Sequence, residues 1–179
     1  MIVLMGLPGS GKGTQGKMLS DEHGFHLFST GDLSRMYVTG ERRRQMMAGA
    51  LLDDNEVITM LERALQSVDY DNDCVLDGFP RTITQAEWLM DQVGNGRFTV
   101  DYVVYLTVSH DAVLSRLQAR GRLDDKESVI ESRFQEYERL TQPVVDWFES
   151  RNVTVLRING ERPASVVNRD IVSQLKLLP

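Results

Sequence analysis

Residues 2–14 read Ile-Val-Leu-Met-Gly-Leu-Pro-Gly-Ser-Gly-Lys-Gly-Thr. The apolar run Ile2–Met5 predicts a strand, and the glycine-rich stretch after it predicts a loop that turns into a helix near Lys12. From Gly6 the spacing is G-x-x-x-x-G-K, the pattern of a phosphate-binding loop. Glycines there let successive backbone N–H groups point inward at phosphate oxygens, with a helix N-terminus behind them. Lys12 adds a point charge for the outer phosphates. In the general pattern a hydroxyl follows the lysine; here Gly13 follows, and the hydroxyl comes one position later at Thr14. An incidental glycine turn with a stray lysine would lack this strand–loop–helix setting. The segment is therefore read as the binding site of a nucleoside triphosphate.

A chain of 179 residues makes one domain with room for a core. Its formal charge of −6 argues against sequence-independent binding to nucleic acid. The cations are lopsided, sixteen Arg against four Lys, and arginine suits bidentate phosphate recognition. A single cysteine, Cys74, excludes an intrachain disulfide, and no Cys/His cluster suggests structural zinc. No apolar run reaches membrane-spanning length and no targeting segment is visible, so the expected location is cytoplasmic.

Short apolar strands alternate with helical stretches along the chain. Strands are predicted at Ile2–Met5, His26–Phe28, Cys74–Leu76, Tyr102–Leu106 and Thr154–Ile158. Helices are predicted over Lys12–Glu22, in several segments within Asp32–Ser67, and over Ile83–Val93, Asp111–Arg120, Lys126–Glu149 and Ala164–Leu178. Asp53 with Glu56 and Thr82 with Gln85 have the spacing of helix-start capping pairs. Short alternating β and α elements imply an α/β fold: a doubly wound, five-stranded parallel sheet with helices on both faces. The stretch from Thr30 to about Glu56 contains no strand and is expected to form a helical excursion from the core.

Four further constellations carry chemistry. Cys74–Leu76 is an apolar strand ending in Asp77, followed by Gly78-Phe79-Pro80-Arg81-Thr82. In a protein with a phosphate-binding loop, an aspartate at the end of a second strand commonly holds Mg²⁺, directly or through water. Ser29-Thr30-Gly31-Asp32-Leu33-Ser34-Arg35 ends the second strand and opens a helix. Arg116 and Arg120 share one helix face and are followed by Arg122, Asp124, Asp125 and Arg133. Asn159-Gly160-Glu161-Arg162-Pro163 forms a turn after the last strand.

Together, Gly-Leu-Pro-Gly-Ser-Gly-Lys-Gly-Thr-Gln, Ser-Thr-Gly-Asp-x-x-Arg, Leu-Asp-Gly-Phe-Pro-Arg-Thr, Arg-x-x-x-Arg, Arg-x-Asp-Asp…Arg and Thr141-x-Pro143 resemble adenylate kinases, in the same order and from end to end. The resemblance implies Mg²⁺-dependent transfer from ATP to AMP, reversibly giving two ADP, with no zinc. It also implies a core of residues 1–28, 53–119 and 126–179, a monophosphate-binding part at 29–52, and a vestigial lid at 120–125. For ATP it implicates Gly9, Ser10, Gly11, Lys12, Gly13, Thr14, Arg116, Arg120, Gly160 and Arg162, with Arg116 stacked on the adenine. For AMP it implicates Thr30, Arg35, Ala50, Leu51, Leu52, Gly78, Phe79, Pro80, Arg81, Gln85, Arg122 and Arg133. The catalytic set would be Lys12 on the ATP phosphates, Arg81 with Arg35 on the AMP phosphate, and Arg120, Arg122 and Arg133 neutralising the transferring phosphoryl group. Asp77 would serve the metal, and Asp124 and Asp125 would hold lid arginines.

The reaction needs no general base, because the attacking atom is a phosphate oxygen already anionic near neutral pH. Accordingly His23, His26 and His110 have no catalytic spacing. Alignment of the two nucleotides and compensation of phosphate charge carry the barrier. Compared with the family pattern, only Gly121 separates Arg120 from Arg122, and the segment from Gly40 to Gly49 is short. A lid this small leaves little backbone to exclude water. The rival readings are a UMP or CMP kinase of the same fold, a catalytically weak nucleotide-binding switch, and a kinase of a small metabolite. Thr82 and Gln85 favour AMP, since the pyrimidine enzymes usually carry asparagine after Pro-Arg. The expected partners are ATP, AMP and ADP, with no nucleic acid and no membrane, and a monomer is the expected state.

Overall fold

A computed structural model describes residues 1–48, 50–66, 73–121 and 127–177. Five strands form one parallel sheet: β1 (Ile2–Gly6), β2 (His26–Ser29), β3 (Cys74–Asp77), β4 (Tyr102–Thr107) and β5 (Val155–Asn159). Their order is β2-β3-β1-β4-β5, so β1 is the central strand. Register follows directly: Leu4 faces Asp77 on one side and Val104 on the other.

All five residues of β1 are buried, which is why its sequence reads as a continuous apolar run. Side chains alternate between two cores. Val3 and Met5 join Leu76, Val103, Phe79 and Phe148 on one face. Ile2 and Leu4 join Val75, Val104, Leu19 and Ile171 on the other. Helices α4 (Asp54–Gln66), α5 (Ile83–Gly94) and α8 (Gln142–Ser150) supply the first core; α1 (Lys12–His23) and α9 (Ala164–Leu175) supply the second. A third cluster seats Leu7 against Val113 and Leu117 of α6 (His110–Arg120) and Ile130 and Phe134 of α7 (Glu127–Glu136). The loop after β1 is thereby pinned to both later helices.

The excursion after β2 is helical as expected, with α2 (Thr30–Tyr37) and α3 (Gly40–Met47) preceding α4. No residue of α3 is buried. The cap at Thr82 forms, its hydroxyl accepting from the Gln85 amide at 3.2 Å. The one at Asp53 is half realised. Its carboxylate accepts from Asn55 N at 3.0 Å, whereas Glu56 is drawn away to Arg42.

One boundary differs in kind. The expected helix Lys126–Glu149 is interrupted by a π-helical turn at Tyr137–Thr141. Pro143, the second residue of α8, has no N–H to continue the ladder, and the chain widens by a residue to accommodate it. The turn buries Tyr137 and Thr141, and the Thr141 hydroxyl donates to the Arg81 carbonyl at 2.9 Å.

Gly6 closes β1 at φ 141°. A Cβ there would lie 2.6 Å from the Leu106 carbonyl oxygen, a backbone atom of β4 that cannot move aside. Gly6→Ala therefore combines an unfavourable backbone conformation with a steric overlap. It should cost about 2–4 kcal/mol of folding stability, measured by denaturant unfolding.

Candidate active site

The sheet's carboxyl edge opens into a cleft of about 1180 Å³, the place where open parallel sheets bind ligands. The phosphate loop forms its floor. Lys12 Nζ donates to the carbonyls of Gly6 (2.7 Å) and Leu7 (2.9 Å). Burial pushes its pKa down from 10.5 to about 8. Asp77 opposes that shift, while Arg81, Arg133 and Arg120 add to it. These cations come from four parts of the chain: the start of α1, the loop after β3, the end of α6, and α7. An anion brought among them would lower their mutual repulsion.

Arg81 is the most tightly fastened. Its Nε donates to Gly78 O at 2.8 Å, and its carbonyl accepts from Thr141. Burial lowers its pKa too; Asp77 opposes this, and Arg133 and Arg35 reinforce it. Arg35 is paired with Asp32 at 2.6 Å on the first turns of α2. Thr30, the first residue of α2 after the N-cap Ser29, which accepts from Asp32 N, donates its hydroxyl to Gly78 O at 2.8 Å, joining the carboxyl ends of β2 and β3. Gly78 has φ 79°, and a Cβ on it would lie 2.8 Å from Arg81 Nη2 and 2.9 Å from Thr30 Oγ1. A glycine is required where those two groups converge.

At the opposite wall, Arg116 donates to the carbonyls of Gly160 (2.8 Å) and Glu161 (3.1 Å), and more weakly to Ser10 O at 3.4 Å. The guanidinium thus ties the turn after β5 to the phosphate loop. Arg162 in that turn is paired with Asp170 of α9.

Gln85, 2% exposed, lines the cleft. Its Nε2 donates to Asp54 Oδ1 and its Oε1 accepts from Arg81 N, both at 2.8 Å. Thr82 Oγ1 donates to the same Asp54 oxygen at 2.9 Å.

Asp77 ends β3 beside the loop; a Cβ on Gly13 would stand 3.4 Å from its Oδ2. Among the described residues no group of three or more His, Cys, Asp or Glu could hold a metal. One carboxylate beside a phosphate loop suits a hard cation such as Mg²⁺, which would take its remaining ligands from nucleotide phosphates and water.

Nearly all the predicted positions meet in this cleft. Gly9, Ser10, Gly11, Lys12, Gly13, Thr14, Asp77, Arg116, Arg120, Gly160 and Arg162 line it, and so do Thr30, Arg35, Ala50, Leu51, Leu52, Gly78, Pro80, Arg81, Gln85 and Arg133. Phe79 is different. Its side chain is fully buried, edge-on to Trp88 with ring centroids 5.7 Å apart, and belongs to the core rather than the cleft wall. Arg122, Asp124 and Asp125 lie outside the described residues. Asp54 escapes a motif reading because its partners stand 28 and 31 positions away.

Fold and site define a phosphotransferase of the P-loop class that works on nucleotides. The adenylate kinase family model matches residues 4–153. Similar proteins include the adenylate kinases of Corynebacterium urealyticum, 39% identical over 166 residues (89% of this chain, 90% of that protein), and Nitrobacter hamburgensis, 36% over 191 residues (98% and 91%). That of Prochlorococcus marinus is 34% identical over 183 residues (99% and 97%). The chain belongs to the adenylate kinase family and is a nucleoside monophosphate kinase. Nothing favours the UMP/CMP kinase or switch readings. No helix among the described residues is long and apolar enough to cross a membrane.

The Lys12 shift has a consequence for pH. A bound triphosphate stabilises the ammonium, so binding takes up a proton above about pH 8. ATP affinity should hold steady from pH 7.5 to 8 and then fall by up to about tenfold per pH unit. Lys12→Arg, which stays charged, should lack that limb. Without ligand the sign reverses: the unfolded chain holds the proton up to 10.5, so this lysine's penalty on the fold fades as pH rises from about 8. Calorimetric titration with ATP across pH 7.5–9.5 measures the first effect. A wild-type minus Lys12→Met difference in unfolding free energy measures the second.

Proposed function

We propose that the cleft aligns Mg-ATP and AMP end to end and transfers the γ-phosphoryl group between them, reversibly giving two ADP. What supports this reading is that Arg81, Arg120, Arg133 and Asp77 line one cleft with Lys12 and each influences its charge. The phosphate loop and Lys12 hold ATP phosphates, with Ser10, Gly11, Gly13 and Thr14 supplying donors. Arg116, immobilised by the Gly160 and Glu161 carbonyls, offers its planar group to the ATP base, with Arg162 on the same turn. Arg35 and Arg81 clamp the AMP phosphate. Thr30, Ala50–Leu52, Gly78, Pro80 and Gln85 enclose the AMP nucleoside.

When bound, Mg²⁺ neutralises phosphate charge, with Asp77 the residue placed to hold it or its water. The protein's own groups act by position and charge. Four cations fixed by the fold need no reorganisation as charge shifts between the two nucleotides. Residues 29–52 serve as the monophosphate-binding part, and 120–125 as a vestigial lid in which Arg122 adds a further cation. Gly121 ends α6 in a left-handed conformation, φ 63°, so Arg120 reaches the site from a helix end rather than a long loop. The enzyme acts as a monomer in the cytoplasm.

Acceptor choice tests the reading. With Mg-ATP and AMP, UMP, CMP or GMP in parallel, AMP should give the highest kcat/KM. Lys12→Met should lower transfer by about a hundredfold or more while leaving the thermal melt near wild type. A preference for UMP or CMP would overturn the acceptor assignment. Near-normal transfer in Lys12→Met would remove the lysine from the site, and a collapsed melt would make its role structural.

A further inference from the structure

The Gln85 side chain is held at both ends by groups of fixed hydrogen-bonding sense. Nε2 faces Asp54, a carboxylate that can only accept, at 2.8 Å. Oε1 faces the Arg81 backbone N–H, which can only donate, also at 2.8 Å. An amide is otherwise free to rotate by 180° and exchange its donor and acceptor ends. Here such a flip would set oxygen against carboxylate and NH₂ against N–H. Asp54 is itself steadied by the Thr82 hydroxyl at 2.9 Å, and that hydroxyl accepts from Gln85 N. The four groups close a ring in which each bond has one possible direction. Each end of the amide keeps one unused position, an N–H on Nε2 and a lone pair on Oε1.

We propose that Asp54 is a specificity-positioning residue: it locks the Gln85 amide in the orientation that matches a 6-aminopurine and rejects a 6-oxopurine. This rests on the reading of Gln85 as the residue that meets the AMP base. Adenine presents an amino donor at C6 beside the N1 acceptor. A fixed amide matches both, accepting at Oε1 and donating from Nε2. Hypoxanthine and guanine present the reverse, a carbonyl acceptor at C6 beside an N1–H donor. A freely flipping amide would serve either base, and the locked one leaves two buried mismatches with an oxopurine. Discrimination by unpaired buried polar groups is the strong kind. Asp54 touches no substrate in this scheme; it acts through Gln85.

IMP is the sharpest probe, because it differs from AMP at the C6 edge and lacks the 2-amino group of GMP. The ratio of kcat/KM for AMP to that for IMP is measured at saturating Mg-ATP in the wild type, Asp54→Asn, Asp54→Ala, Gln85→Leu and the Asp54→Asn/Gln85→Leu double variant. The wild type should favour AMP by at least about a hundredfold. Asp54→Asn and Asp54→Ala should each lower that ratio by about tenfold, partly through a gain in IMP use. A general loosening of the fold would depress both acceptors alike and leave the ratio unmoved. In the double variant Asp54→Asn should add nothing to Gln85→Leu, since the lock has nothing left to hold.

The outcomes separate cleanly. If Gln85→Leu erodes the ratio while both Asp54 variants keep it at wild type, the lock is wrong and the base reader stands. If Gln85→Leu leaves the ratio unchanged, the base reader falls and the lock with it. Should one Asp54 variant fail to fold, the other decides. A wild type that uses IMP as readily as AMP overturns the proposal with no variant at all.

Discussion

Lys12 sits desolvated within electrostatic reach of three other cations, Arg81, Arg120 and Arg133, with the Asp77 carboxylate set against them. Left to themselves these groups would separate, and each is anchored instead by an element with other reasons to be where it is. Lys12 follows a strand buried on both faces. Arg81 is fastened through Gly78, Gln85 and Thr141. Arg120 and Arg133 are borne by α6 and α7, whose apolar faces close on Leu7 of the phosphate loop. The apolar cores thus hold a concentration of positive charge that a protein of formal charge −6 carries nowhere by default. Under the proposed function a polyphosphate would lower that repulsion, so that substrate binding and relief of the site's electrostatic strain would be one event.

Most of the fold can be read in the sequence because its central strands are buried, β1 along its whole length and β3 over Cys74–Leu76. Such strands appear as unbroken apolar runs, and turn residues mark their ends. The phosphate loop is legible for a related reason: its geometry is local, and glycine spacing records it directly. Legibility fails where an outcome is decided at a distance. Lys126–Glu149 has the pattern of one helix, and the strength of Pro143 as an interruption emerges only once Thr141 is seen bonded to Arg81. Glu56 has the spacing to complete a cap at Asp53, yet Arg42, fourteen positions away, holds its carboxylate.

The same distinction divides the site. Among the described residues expected at the site, all but Phe79 line the cleft, and the Phe79 ring is claimed by Trp88 and the core. Sequence proximity to Arg81 carried it into the expected set, and hydrophobicity took it out. Asp54 is the converse. It lies in no motif that points to chemistry, and its partners Thr82 and Gln85 are neighbours only after α4 and α5 have packed on the same face of the sheet.

The backbone of Arg81 ties two tasks together. Its N–H holds the Gln85 amide, its guanidinium is braced on Gly78, and its carbonyl is held by the π-helical turn. On the proposed function, the residue that meets the acceptor base and the cation that clamps the acceptor phosphate are therefore joined by one hydrogen bond. A base that fits badly disturbs the residue bonded directly to Arg81, and a shift at Arg81 moves charge away from the transferring group. Misplacement of this kind acts on kcat as well as on binding, because alignment of the two phosphates carries much of the rate. Under the proposed function, the check on the base and the alignment of the phosphate would share that contact between Gln85 and Arg81.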